Sequence, residues 1–175
     1  MEFELKPCGP ADLPELLYIQ DTAFAALDDP SLLRRNTPEM LDACLTPPHI
    51  TLGAWYEGTL AAFSILYVPE ADEDLSRSLI GVDLAGRRTA NYKLCIVRPE
   101  FRGRGLQYHL GMALIAEAKA EGIGVLCATV SPKNRHSMDN IQRMGYTYNR
   151  TLMKYGWERD LYVQILPAPK RSESF

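Results

Sequence analysis

Hydrophobic positions recur at helical spacing early in the chain, just after a short predicted strand at residues 3–5. From Asp12 to Leu27 the apolar residues keep to one face, which predicts an amphipathic helix. Residues 37–45 predict a second, shorter helix with Thr37 as its N-cap, because a threonine hydroxyl accepts a hydrogen bond from a free helical N–H group. The chain therefore begins with a strand and two helices.

Two β-rich runs follow, and their sequences are ITLGAWYEG and TLAAFSILYVP. Glu57 and Gly58 lie at the junction and favour a tight turn, so the two runs predict an antiparallel hairpin. The next stretch, residues 70–86, is acidic and then mildly amphipathic, and it is the least readable part of the chain.

The second half of the chain alternates strands with helices. Residues 89–99 predict a strand that Pro99 ends, Leu106 to Glu121 keep helical spacing, and residues 125–130 predict a buried strand. A strand–helix–strand crossover of this kind places its two strands parallel. A short helix at SMDNIQRM and two more strands, YTYNRTLMKYG and DLYVQIL, complete the pattern. The predicted fold class is mixed α/β.

Composition narrows the class of protein. The 175 residues suffice for one domain, expected over residues 1–166, and the tail at 167–175 has too little apolar content to pack and is predicted to be disordered. A formal net charge of −3 argues against nucleic acid as the main partner. The amino terminus lacks the apolar segment of a signal peptide, and the longest apolar run, residues 60–68, is too short to span a bilayer. We therefore expect a cytoplasmic protein that binds no membrane.

Cysteine spacing indicates neither a metal site nor a disulfide framework. The four cysteines are scattered, form no CxxC pair and lie near no histidine at metal-ligand spacing: Cys8, Cys44, Cys95 and Cys127. They are expected to be reduced thiols in the core, and no metal cofactor is predicted.

The stretch VRPEFRGRGLQYHL places two glycines between arginines at the start of a predicted helix. Gly103 and Gly105 allow backbone conformations and close approaches that a Cβ atom would prevent. The first N–H groups of a helix have no internal partner and lie at the positive end of its dipole, so this turn could hold a phosphate. Arg102 and Arg104 would add positive charge. A tight turn that needs glycine only for its geometry is the alternative.

Two common phosphate-binding motifs are excluded by the residues themselves. A P-loop requires Gly-Lys followed by Ser or Thr, and that sequence does not occur. The dinucleotide fingerprint G-x-G-x-x-G fails at its third glycine, because Gly105 is followed by Leu106, Gln107 and Tyr108.

The stretch CIVRPEFRGRGLQ resembles motif A of the GNAT superfamily of acyl-CoA-dependent N-acyltransferases, whose pattern is Arg/Gln-x-x-Gly-x-Gly/Ala. The matching residues are Arg102, Gly103, Arg104, Gly105 and Leu106, and Gln107 stands at the final small-residue position. Downstream, NRHSMDNIQRMGY resembles the family's Asn-x-x-Ala/Ser, helix, Gly-Phe/Tyr pattern through Asn134, Ser137, Gly145 and Tyr146. The order of elements from Phe3 to about Leu166 is also similar to that of the family.

The resemblance implies a GNAT fold: a central, mostly antiparallel sheet with one parallel crossover and helices on both faces. It also implies acetyl-CoA or another acyl-CoA as co-substrate, held where two strands splay apart and pantetheine pairs with the free strand edge. A glutamine at position 107 can point its side chain outward and still offer its backbone N–H, so a less preorganised turn is expected there, without loss of binding. The implied cofactor-binding residues are Cys95, Ile96, Val97, Arg102, Gly103, Arg104, Gly105, Leu106, Gln107, Tyr108 and Asn134.

The resemblance leaves the catalytic residues unassigned. Three positions at which family members carry a tyrosine or glutamate acid or base hold Asn91, Thr129 and Ile141, whose side chains do not titrate usefully. Other candidates lie near the predicted site or carry no motif: Tyr92, Ser137, Tyr146, Tyr148, His49, His109 and His136. A non-catalytic acyl-CoA sensor with the same fold is therefore the alternative to an enzyme, and a nucleotide-binding protein is a third class.

The implied reaction is direct transfer of an acetyl or short acyl group to a primary amine of a small molecule or peptide. Acidic residues in two loops could attract a cationic amine, although a solvated charged surface is the simpler interpretation: Asp28, Asp29, Glu70, Asp72, Glu73 and Asp74. In the family, strands near the C-terminus often mediate dimers, so a homodimer is expected by analogy. Neither nucleic acid nor a membrane is expected as a partner.

Overall fold

The computed structural model describes residues 1–168 and builds them around one seven-stranded sheet. Most of the predicted tail, residues 169–175, lies outside the described residues. No helix within residues 1–168 is long and apolar enough to cross a membrane. The elements are β1 Glu4–Pro7, α1 Leu13–Ala25, α2 Pro38–Ala43, β2 Ile50–Tyr56, β3 Thr59–Tyr67, β4 Arg88–Val97, α3 Leu106–Ala120, β5 Ile123–Val130, α4 Arg135–Arg143, β6 Thr147–Lys154 and β7 Trp157–Ile165.

The sheet has the strand order β1-β2-β3-β4-β5-β7-β6. Strands β4 and β5 pair parallel, and all the other neighbours pair antiparallel. Helix α3 joins the two parallel strands, as a crossover connection requires. The predicted fold class and the parallel crossover are therefore confirmed.

Helices cover both faces of the sheet, so its central strands are buried on both sides. One core cluster packs α3 and α4 against the sheet, and a second packs α1 and α2 against the opposite face. Strand β3 shows the consequence, because seven consecutive residues, from Leu60 to Leu66, are buried. A strand that is buried along this length and apolar except for Ser64 is the pattern expected of a sheet that is covered on both faces.

The predicted hairpin between β2 and β3 is confirmed, with Tyr56 paired to Thr59 across the turn. Glu57 and Gly58 both have positive φ, at 47° and 79°, which suits a two-residue turn whose twist matches that of the flanking strands. The predicted N-cap of α2 is also confirmed, because the Thr37 hydroxyl accepts a hydrogen bond from the Met40 N–H at 3.2 Å.

Departures from the sequence-based prediction include two element boundaries and the unreadable stretch. Strand β7 begins at Trp157, although the strand pattern begins only at Asp160, and α4 begins at Arg135 rather than at Ser137. The unreadable stretch 70–86 contains one 3₁₀ turn, and the buried Leu75 of that turn packs against β5 and β7. The start of β7 and the 3₁₀ turn are held by contacts distant in sequence, which local periodicity does not report, whereas the start of α4 is set by the Asn134 cap.

The prediction that the cysteines are core residues holds for three of the four. Cys8, Cys44 and Cys127 are buried free thiols, and burial raises the pKa values of all three, to about 12, about 11 and about 12. Cys95 is half-buried on β4, where it lines the cleft described below.

Helix α3 is held by an apolar face, and a core truncation there should destabilise the protein. Leu110 is completely buried between α3 and the sheet, whereas Met112 on the same helix is 38% exposed. We expect Leu110→Ala to lower the free energy of unfolding by about 2–5 kcal/mol. Met112→Ala should change it by less than about 0.5 kcal/mol. Urea unfolding measures both free energies, provided that the dependence on urea concentration is the same in the two variants. Equal losses of unfolding free energy would show that α3 does not pack as described.

Candidate active site

Strands β4 and β5 separate part-way along their length. Their parallel pairing runs only from Arg88 to Asn91 on β4, which face Ile123 to Cys127 on β5. Beyond Asn91, β4 continues beside β3, while the end of β5 stays paired with β7. A cavity of about 290 Å³ lies at this fork and is lined by both strands.

The fork leaves β4 with an edge that no protein strand covers. The Arg98 N–H donates to the Ala61 carbonyl on β3 at 2.9 Å. Because N–H directions alternate along a strand, the N–H groups of Cys95 and Val97 face the fork and that of Ile96 faces β3. Of the three predicted β4 residues, two therefore present backbone donors to the cleft.

A turn rich in unpaired amides lies where β4 leads into α3. Gly103 and Gly105 adopt φ of 74° and 72°, a conformation that favours glycine. The first helical hydrogen bond runs from the His109 N–H to the Gly105 carbonyl. Within the described residues, none of the six consecutive N–H groups from Gly103 to Tyr108 has a protein acceptor.

Positive charge surrounds these amides. Arg102 and Arg104 are exposed beside the turn, and the Arg143 guanidinium lies 4.4 Å from the centre of the Tyr108 ring. The turn also forms the N-terminus of α3, a helix of 15 residues whose dipole is positive there. Free amides, a helix dipole and arginines together suit a phosphate or pyrophosphate.

Gln107 does not point outward, contrary to the expectation from its position in the motif. Its side-chain amide donates to the Ser137 hydroxyl and accepts from the Asn140 side chain, both at 3.2 Å. The side chain therefore joins the start of α3 to α4, two helices that border the cleft. This contact spans about 30 residues of sequence, so the motif alone could not indicate it.

Asn134 lies in the cleft wall as the N-cap of α4. Its side-chain oxygen accepts a hydrogen bond from the Ser137 N–H at 3.1 Å. The side-chain nitrogen of Asn134 makes no hydrogen bond within residues 1–168, so it remains available as a donor to a ligand in the cleft.

The three positions where the family carries acids or bases all lie in the cleft wall, and none has a titratable side chain here: Asn91, Thr129 and Ile141. The Asn91 side chain donates to the Glu73 carbonyl oxygen at 3.0 Å. This contact brings the loop before β4 against the first of the three positions.

The other sequence candidates divide into two groups. Tyr92 and Ser137 line the cleft, and Tyr146 is buried behind Tyr92 with ring centres 6.2 Å apart. Burial raises the pKa of the Tyr92 and Tyr146 hydroxyls, so both stay protonated. The remaining candidates do not line the cleft: Tyr148, His49, His109 and His136.

A carboxylate that sequence reasoning did not single out as a base lies in the cleft. Glu73 lines the cavity and accepts a hydrogen bond from the Tyr67 hydroxyl. That bond, with burial, raises the pKa of Tyr67, which therefore stays protonated as a donor. Of the six acidic loop residues, only Glu73 and its exposed neighbour Asp72 line the cavity.

Four cationic side chains also line the cavity, and no motif indicated them: Arg34, Lys93, Lys154 and Arg159. They come from a loop and from three different strands. Within residues 1–168 no group of three or more His, Cys, Asp or Glu side chains could hold a metal ion.

Comparisons with known proteins agree with this geometry. The sequence model of the Acetyltransferase (GNAT) family matches residues 13–146. A curated L-methionine sulfoximine/L-methionine sulfone acetyltransferase of Pseudomonas paraeruginosa is 27% identical and covers 98% of this chain and 99% of its own.

Solved structures with the same fold include two of different origin. Arabidopsis thaliana NAA60 in complex with acetyl-CoA has a TM-score of 0.73 at 17% identity, covering 94% of this chain and 99% of its own. The ribosomal-protein-alanine N-acetyltransferase of Brucella melitensis has a TM-score of 0.73 at 22% identity, covering 93% and 99%. With motif, fork and amide turn in one place, and the family model spanning most of the chain, this protein belongs to the GNAT family of acetyltransferases.

Proposed function

We propose that this chain, as one domain over residues 1–166, transfers an acetyl or short acyl group from acetyl-CoA directly to a primary amine. The observation that carries the proposal is the fork between β4 and β5, which leads to six free amides at the start of α3. The structure of a fold relative was determined with acetyl-CoA, which supports the choice of co-substrate.

The residues of the fork fit a CoA thioester. Pantetheine carries amides that pair with the N–H groups of Cys95 and Val97 like an added strand. The pyrophosphate lies on the amides from Gly103 to Tyr108, beside Arg102 and Arg104. The side-chain nitrogen of Asn134 donates to a pantetheine carbonyl from the opposite side of the cleft.

The chemistry requires a neutral amine, because the lone pair of nitrogen must form the new C–N bond as the C–S bond breaks. An alkylammonium has a pKa of about 10.4, so a base must remove a proton near neutral pH. The nitrogen loses a second proton as the amide forms, and the balance closes when one of the two protons reaches the departing thiolate and the other is released to solvent. A backbone N–H on the free edge of β4 polarises the thioester carbonyl.

Glu73 is proposed as the proton acceptor, directly or through a water molecule. It is the half-buried carboxylate of the cavity, and the Tyr67 hydroxyl holds its side chain in place. The hydrogen bond from Asn91 fixes the Glu73 backbone against the strand position where one branch of the family carries its glutamate. Cys95, which also lines the cleft, does not compete as a base, because burial raises its pKa to about 12.

A small-molecule acceptor is proposed over a peptide. The name of the curated relative specifies two amino-acid analogues as its acceptors, which supports this choice. A cytoplasmic location is part of the proposal, because three buried free thiols suit a reducing compartment.

The proposal is tested first by calorimetric titration with acetyl-CoA, with ATP and free CoA as comparisons. We expect saturable binding of acetyl-CoA that is much tighter than that of ATP, because only a CoA ligand also fills the fork. Release of CoA thiol should then depend on the amine, over a panel of amino acids, amines and short peptides. Binding without release would favour an acyl-CoA sensor, and equal binding of ATP would favour a nucleotide-binding protein.

Gly103 and Gly122 provide a matched pair for the role of the amide turn. They have φ of 74° and 72°, and an added Cβ would meet no atom within 4 Å at either position. Alanine in this conformation costs about 1 kcal/mol, so both substitutions should lower stability similarly. Only Gly103→Ala should weaken acetyl-CoA binding, by about tenfold, because it shifts the amides that hold the pyrophosphate. Equal effects of the two variants on affinity would remove the turn from the binding site.

Glu73→Gln tests the proposed base, and Glu70→Gln is its control, an identical charge change on an exposed residue outside the cavity. We expect Glu73→Gln to lower kcat/KM by about 10²–10⁴-fold near pH 7 and to leave acetyl-CoA affinity unchanged. The deficit should shrink as pH rises towards the amine pKa of about 10.4, because the amine then loses its proton unaided. A Glu73→Gln profile parallel to that of Glu70→Gln would exclude Glu73 as the base.

A further inference from the structure

The cleft carries more positive than negative charge. Its cationic side chains are Arg34, Lys93, Lys154 and Arg159, and its carboxylates are Asp72 and Glu73. Within the part of the chain that the structure describes, the ion pairs are Lys6–Glu4, Arg35–Asp21, Arg98–Glu15 and Lys133–Asp29. None of them involves a cation of the cleft.

Arg159 is the most buried of these cations. It is only 4% exposed, and its Nε atom has no hydrogen-bond partner within residues 1–168. Its neighbour Asp160 does not compensate it, because side chains alternate along a strand and Asp160 accepts from Thr151 on the other face. A buried charge without a partner is unfavourable, so this guanidinium requires an anion.

Arg34 strengthens the same positive field. Its guanidinium lies 3.8 Å from the centre of the Tyr155 ring, an arrangement that fixes the orientation of its plane. Burial, and then the charge of Arg34, lower the pKa of both Arg159 and Lys93. Both arginines line the cleft and the space next to it, so an anion held between them would offset the positive charge of each.

A second cavity lies next to the first at these arginines. This second space, of about 380 Å³, shares Arg34, Tyr155 and Arg159 with the first and extends to Phe24 and Trp157. The arginines therefore line both the cavity at the β4–β5 fork, where the thioester is proposed to bind, and an adjoining space with aromatic walls.

We propose that Arg34 and Arg159 form a carboxylate-binding subsite for the acceptor, so that the acceptor is a small amine with a free carboxylate, such as an α-amino acid. This inference rests on the proposed acyl transfer and adds the class of acceptor. A guanidinium presents parallel N–H donors that match the two oxygens of a carboxylate. The carboxylate pairs with the arginines, the amine turns towards Glu73 and the fork, and the side chain extends towards Trp157.

The substrate test compares each L-amino acid with its own carboxamide, at saturating acetyl-CoA, by release of CoA thiol. The pair keeps the same side chain, and the amine of the amide has the lower pKa and is therefore more often neutral, so a preference for the acid cannot come from a more reactive amine. We expect kcat/KM for the preferred amino acid to exceed that for its amide by about 10²-fold or more, because the amide leaves buried charges unpaired. Aminoalkyl sulfonates and phosphonates extend the series to tetrahedral anions.

The residue test uses Arg34→Gln and Arg159→Gln, with Arg159→Lys retaining the charge of the buried site. Arg77→Gln is the control, because Arg77 is exposed and lines neither cavity. Arg34→Gln and Arg159→Gln should each lower kcat/KM for the acid by about 10–100-fold, mainly through KM, and change that for the amide by less than about threefold, whereas Arg77→Gln should change neither. Arg159→Lys should recover part of the loss. Acetyl-CoA affinity, measured by calorimetry, should be unchanged in all four variants. Unchanged affinity also shows that the variants are folded.

Several outcomes would overturn the inference. Equal use of acids and amides by the wild-type protein would leave acyl transfer intact and exclude the subsite, as would preference for sulfonates or phosphonates over carboxylates. If no amine is acetylated, calorimetry with N-acetyl-L-amino acids in the presence of CoA still tests the subsite. If the wild-type protein binds an N-acetyl-L-amino acid and Arg34→Gln does not, the result supports the subsite without any measurement of catalysis. If the wild-type protein binds none, the subsite is rejected.

Discussion

The separation of β4 from β5 after Asn91 is the constraint on which the rest of the site depends. A strand in the middle of a sheet that loses its partner leaves backbone N–H and C=O groups unpaired, and such groups need another partner. Here Tyr92 and Tyr146 pack together beside the gap, in the core cluster that α3 and α4 form on one face of the sheet. The bulk of these rings therefore supports an opening that a ligand strand can fill.

The same opening determines where charge can act. At one end, the free amides of α3 and the arginines of the turn favour a polyanion. At the other end, the loop after β3 brings in Glu73 and the β6–β7 hairpin brings in Arg159. Both of these segments lie at a distance from the two motifs, so their sequences can change while the backbone that binds the cofactor stays the same. This arrangement explains how one fold combines a fixed co-substrate with different acceptors.

The features predicted from sequence are those that local backbone geometry requires. Gly103 and Gly105 at positive φ, the Thr37 cap and the Glu57–Gly58 turn are each fixed by a few neighbouring residues. The parallel pairing of β4 and β5 followed from the crossover rule, and the mostly antiparallel sheet from resemblance to the family. Gln107 was misread because its partners lie on another helix. Arg159 was missed because the segment from Trp157 to Arg159 lacks an apolar pattern, although pairing with β6 makes it a strand.

The charges at the acceptor end of the cleft determine the orientation in which an amino acid would bind. An amino acid carries an ammonium and a carboxylate only a few bonds apart, and the cleft offers Glu73 beside Asn91 and two arginines where the second cavity adjoins it. The opposite orientation would bring the carboxylate against Glu73 and the ammonium against Arg159, and like charges in a partly desolvated cleft repel strongly. The amine is thus directed towards the thioester by the same contacts that hold the carboxylate. Positioning of this kind lowers the barrier without a dedicated acid, which is consistent with the non-titratable residues at positions 91, 129 and 141.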